Sequence, residues 1–114
     1  MQINRVQQNS NPNFRAFNVL VRESTLTYNL GGDSKKAKEI IKDCYRLKDE
    51  FQVACEKGNW DVTMKDNRYF PLGAVWLSIS RKSPMASTGG AVPNDRPFYE
   101  YAKDKIEHML KYNS

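Results

Sequence analysis

Residues 31–58 read GGDSKKAKEIIKDCYRLKDEFQVACEKG, and this stretch decides the fold. Ala37, Ile40, Ile41, Cys44, Leu47, Phe51, Ala54 and Cys55 recur at intervals of three and four residues. At about 100° per residue they fall within roughly 140° of arc, an apolar stripe that must face a core. Gly31-Gly32 interrupts the chain ahead of the stripe, Asp33-Ser34 offers an N-cap, and Gly58 is placed to close the last turn. The spacing therefore predicts a helix over 34–57.

On the N-terminal side, Phe17, Val19 and Val21 alternate with Asn18, Leu20 and Arg22, the period-two pattern of a strand. Leu26, Tyr28 and Leu30 alternate with Thr25, Thr27 and Asn29, which predicts a second strand. On the C-terminal side, Trp60, Val62 and Met64 alternate with Asp61, Thr63 and Lys65, a half-buried strand followed by turn chemistry at 65–68. Residues 74–80 read as a more central strand, with Val75, Leu77 and Ile79 on one face and Trp76 and Ser78 on the other. KSPMASTGGAVPND, residues 82–95, holds two prolines and a glycine pair and reads as a long loop. A last helix follows, capped at Asn94 or Asp95 with Pro97 in its first turn. Its buried side is Phe98, Ala102, Ile106, Met109 and Leu110, and it ends near Tyr112.

The order β-(β)-α-β-β-α predicts the α+β class. The expected architecture is a two-layer sandwich, a three- to four-stranded mainly antiparallel sheet with two helices on one face. Element order alone resembles a ferredoxin-like arrangement lacking its last strand, a likeness that carries no function. Residues 1–13, MQINRVQQNSNPN, read as a flexible leader and residues 14–114 as a single domain.

Charged residues make up 27% of the chain and apolar ones 39%, ordinary values for a globular domain and against wholesale disorder. The net charge of +5 is spread along the chain, so no basic tail of the arm-binding kind is present. No apolar run approaches the roughly 18 residues of a membrane span, and MQINR at the start lacks the apolar core of a secretory signal. Cys44 and Cys55, eleven residues apart on one helix, would lie roughly 16 Å apart, too far to bridge each other. Two free thiols on an apolar face suit a reducing compartment, and a cytoplasmic location is expected. With one histidine and no CxxC pair, neither a metal nor a cofactor is expected.

Catalytic chemistry has little to work with. The single imidazole, His108, sits at the solvent edge of the last helix near Tyr101 and Tyr112. Asp43, Asp49, Glu50, Asp61 and Asp66 each have a Lys or Arg within four residues, the arrangement of solvated ion pairs. Gly31–Lys36 brings a hydroxyl and two ammonium groups to a helix N-terminus, but its glycine spacing is not that of a P-loop and Asp33 would repel a phosphate. Capping explains it better. The expectation is a protein that is not an enzyme.

Two binding surfaces remain. If the sheet shows one face, Trp60, Tyr69, Phe70 and Trp76, with the 82–95 loop, would form an aromatic surface for a protein partner or a second copy, as an inhibitor or adaptor uses. The alternative is a nucleic-acid-binding domain. Lys35, Lys38, Lys42 and Arg46 project within about 80° of each other opposite the apolar stripe, where they could meet phosphates while exposed aromatics stack bases.

Overall fold

A computed structural model describes residues 16–68 and 70–112, with the backbone alone at position 70. The 1–13 leader lies outside the described residues. The chain forms β1 (Phe17–Leu20), α1 (Glu23–Asn29), α2 (Ser34–Gly58), β2 (Trp60–Asp66), a short 3-10 turn (Phe70–Leu72), β3 (Val75–Lys82), β4 (Met85–Val92) and α3 (Phe98–Tyr112). The strands lie side by side in chain order.

The α+β class is as expected, while three details differ. First, the sheet is mixed: β1 runs parallel to β2, and β2, β3 and β4 form an antiparallel meander. Parallel neighbours need a crossover, which α1 and α2 supply. Because β1 and β2 are hydrogen-bonded directly, the split arrangement of a ferredoxin-like sheet does not apply.

Second, the segment expected as a second strand is the helix α1, so three helices rather than two occur among the described residues. Leu26 and Leu30 are four apart, a spacing that satisfies a helix as well as an alternating strand. Leu26 is fully buried, and the Leu26 and Leu30 amides donate back to Arg22 and Leu26. The cap residue Arg22 has no side-chain cap of its own. Asp66 from the end of β2 instead accepts the Arg22 backbone N–H and, at 3.3 Å, its guanidinium.

Third, the 82–95 segment is mostly strand. β3 turns through Ser83-Pro84, joined by a cis peptide, into β4, and pairing continues unbroken from Lys82↔Met85 to Val75↔Val92. Only residues 93–97 remain irregular before α3.

The helix read from residues 31–58 forms as Ser34–Gly58. Asp33 accepts the Lys36 N–H at 3.0 Å, and Asn59, one residue beyond the expected glycine, takes the left-handed closing conformation at φ 58°. Burial follows strand register. Phe17, Val62 and Ile79 align across three strands, and Val19, Met64 and Leu77 form the next row. Against them pack Leu26 of α1, Ala37, Ile40, Cys44, Leu47 and Cys55 of α2, and Tyr99, Ala102 and Ile106 of α3. α2 lies over β1 and β2, α3 lies over β3 and β4, and the two helices touch.

The connection from β2 to β3 is organised by Asn67. Its buried amide donates to the Gly73 carbonyl at 2.7 Å, its own N–H donates to Ala74, and its carbonyl accepts from Asn29 of α1. Gly73, at φ 148°, passes so close to β4 that a Cβ there would lie 2.1 Å from the Val92 carbonyl oxygen. No other residue fits.

Candidate protein-binding surface

Among the described residues, the helices take one face of the sheet and leave the other. Residues one position out of phase with the core line the open face in rows. One row is Leu20, Lys65, Trp76 and Ala91; the next is Asn18, Thr63, Ser78 and Gly89; a third pairs Asp61 with Ser80 and Ser87. Small hydroxyl residues dominate. Leu20 at 59% exposure and Trp76, half-buried, are the large apolar groups in these rows. Trp76 lies across the neighbouring strand, with Nε1 3.3 Å from where a Cβ on Gly89 would stand. The half-buried indole thus rests over the Gly89 backbone.

At the end of the sheet beside the α2 C-terminus, a groove of about 700 Å³ runs from Cys55, Glu56 and Trp60 round to Asn18, Asp61 and Lys82. At the opposite end, Leu72 in the 3-10 turn is 69% exposed.

The residues expected to bind a protein do not all gather here. Trp60 is only 2% exposed, because it shares the phase of Val62 and Met64 and turns toward the helices. The Arg81 guanidinium stacks over its ring at 4.3 Å and donates to the Pro84 carbonyl. Trp60 is therefore a core residue, not part of the open face. Tyr69 and the Phe70 side chain lie outside the described residues. Of the expected set, Trp76 alone is shown on the open face among the described residues. β4, outermost among the described strands and exposed at Ser87, Thr88 and Gly89, replaces the expected loop. Its serine, threonine and paired glycines lack the apolar alternation that marks a strand, so the sequence held little to reveal it.

The basic ridge is present in part. Lys35, Lys38 and Lys42 are exposed on the outer side of α2. Arg46 is engaged, its guanidinium 3.8 Å above the Tyr99 ring. The Tyr99 hydroxyl donates to the Glu50 carboxylate, and that hydrogen bond, with burial, pushes the phenol above its ordinary value. Burial also raises the Asp43 carboxyl, opposed by Arg46 and helped by Glu100 and Glu39. This network joins α2 to α3. Arg46, itself exposed, stands at the junction of the ridge and this network.

Both cysteines are free and buried. Burial pushes each thiol up to about 12, reinforced by Asp43 and Asp66 at Cys44 and by Asp61 and Glu56 at Cys55. A thiol so protonated is a poor nucleophile and metal ligand at neutral pH. His108 stacks on Tyr112 with ring centres 4.6 Å apart at the exposed end of α3. Among the described residues, no group of three or more His, Cys, Asp or Glu side chains is gathered as a metal would require, and no helix is long and apolar enough to cross a membrane.

Comparison with protein-family models, with curated proteins and with solved structures finds no match to this chain.

Proposed function

We propose that the chain is a non-catalytic protein-interaction module that holds a protein partner on its open sheet face and along β4. The observation that supports this reading is the contrast in the Leu20–Lys65–Trp76–Ala91 row. There an indole is held at the surface beside a cation and an exposed leucine, while the adjacent row is packed under helices. Aromatic and basic side chains are the groups that anchor protein interfaces. A small inhibitor or adaptor needs no more than such a face on a rigid support.

Site-specific photocrosslinking in the native cells tests the reading. A benzoylphenylalanine at Ser78, on the open face, is expected to trap a protein partner. The same group at Asp104, on the solvent side of α3, is expected to trap none. Equal trapping at both positions, or none at Ser78, refutes the proposal. Nuclease-sensitive adducts from a probe at Lys38, with nothing at Ser78, would transfer the role to the Lys35–Lys42 ridge and a nucleic-acid partner.

A further inference from the structure

We propose that the outer edge of β4 accepts an acidic, extended segment of the partner protein as an added strand. This rests on the protein-binding reading above and specifies the partner's chemistry.

β4 is hydrogen-bonded to β3 and, among the described residues, to no strand beyond it. Every second residue along its outer side therefore presents a backbone N–H and C=O that a further strand could pair. Natural edge strands are commonly guarded by a lysine, a proline, a bulge or shortness. Met85–Val92 has none of these guards: its eight residues carry no charge and no proline, and its register against β3 is uninterrupted.

The helix beside this edge supplies the wall of a cleft. Tyr99 faces α2, since it meets Arg46 and Glu50 there. Tyr101, two residues on, points about 160° away around the helix, toward the β4 side. Lys105 shares that flank with its Nζ 5.4 Å from the Tyr101 ring centre, and Arg96 approaches the same ring at 5.7 Å. Beneath them the strand is not filled in. Thr88 is exposed although it has the helix-facing phase, and a Cβ at Gly90 would meet nothing within 4 Å. Side chains of an added strand have room there.

Charge selects the occupant. The hairpin from Val75 to Val92 contains Arg81 and Lys82 and no acidic residue. Asp104 turns about 100° from Lys105 toward solvent. Arg96 and Lys105, both against the Tyr101 ring, are the charges on that flank, while Lys82 stands one strand in, opposite Met85. A second copy paired through β4 about a two-fold axis would set each Tyr101–Lys105 flank against its twin, a like-charge juxtaposition. An acidic segment has the opposite sign. Main-chain hydrogen bonds would supply affinity and the two cations beside Tyr101 the preference.

The test uses two fluorescein-labelled decapeptide pools in which Val, Ile, Thr or Tyr alternates with Glu in one pool and with Lys in the other. Fluorescence polarisation is expected to show the full chain binding the Glu pool at least tenfold more tightly than the Lys pool. The exposed pair Arg96→Glu and Lys105→Glu is expected to abolish that preference while urea unfolding stays unchanged. Hydrogen exchange with the Glu pool bound is expected to slow at 85–92. Equal binding of the pools, binding of neither, protection confined to other strands, tighter binding of a labelled dodecanucleotide RNA, or a dimer that the Glu pool cannot displace would each overturn the assignment. Loss of Ser78 crosslinking with retained pool preference would remove the open-face reading and leave the edge standing, and the reverse result would remove the edge alone.

Discussion

Two adjacent rows of the sheet differ by a single residue in phase and by everything in consequence. Val19, Met64 and Leu77 form one row, with Met64 and Leu77 buried under the helices; Leu20, Lys65, Trp76 and Ala91 form the next and face outward. The same backbone hydrogen bonds serve both. Because side chains alternate across a strand, one sequence can write a core on one face and a recognition surface on the other. Substitutions on the first face should act on folding free energy, and those on the second on binding.

The largest effect should come from the covered face. Phe17 is fully buried at the centre of a three-strand row, and Phe17→Ala removes a ring that α2 and β2 cannot close over. Urea unfolding is expected to show a loss of about 3–5 kcal/mol. A loss below about 1 kcal/mol would mean that β1 is not part of the cooperative core, and the contrast between faces would fail at its strongest point. Next is Gly73→Ala, where a Cβ would collide with the Val92 carbonyl and the backbone sits at φ 148°. The expected cost is roughly 2–3 kcal/mol. It sharpens the comparison differently, since the damage lands at the end of β4 and should loosen that edge by hydrogen exchange before it disturbs the Val62–Ile79 row.

How much of this was legible depends on where the information sits. Residues 31–58 announced their helix because cap, stripe and stop all lie within the segment. The class followed, since strands on either side of such a helix leave few ways to bury its apolar face. Leu26 and Leu30 fit two periods at once, and only burial of Leu26 against the core decides for α1. β4 was illegible for another reason. Met85–Val92 pairs because β3 offers a complementary edge, not because its own residues demand a strand. Trp60 is the instructive case: its phase with Val62 and Met64 was readable, and it already placed the ring inward. An aromatic residue in the inward phase belongs to the core, whatever its suitability as an anchor. The candidate surface was thus legible at Trp76 and hidden at β4, since an edge is a property of the neighbouring strand's absence.

A smaller effect should appear in alkaline solution. Burial holds the Cys44 and Cys55 thiols at about 12 against an ordinary value of 9.0, so folding keeps protons that the unfolded chain releases. Their contribution to stability is therefore complete below pH 9 and is lost as pH rises from 9 toward 12. Both thiols should make stability fall with rising pH across that window. The double variant Cys44→Ala, Cys55→Ala is expected to start less stable at pH 7, from lost packing, and to decline less steeply above pH 9. An identical slope would show that the thiols do not titrate with unfolding.

The smallest expected change in stability tests the open face directly. Ser78 lies between Thr63 and Gly89 on the open face and is half-buried. Ser78→Ala should shift the urea midpoint by no more than about 0.5 kcal/mol, as for other surface positions. Lys65→Glu, in the Trp76 row, should be similarly mild because the lysine is exposed and cross-strand neighbours Leu20 and Trp76 are uncharged. Its effect on partner capture should be large, since reversing a charge beside an interface anchor both removes an attraction and installs a repulsion. A Lys65→Glu chain that folds normally and still captures the partner would show that the Leu20–Lys65–Trp76 row is bare surface, and recognition would have to lie along the edge of β4.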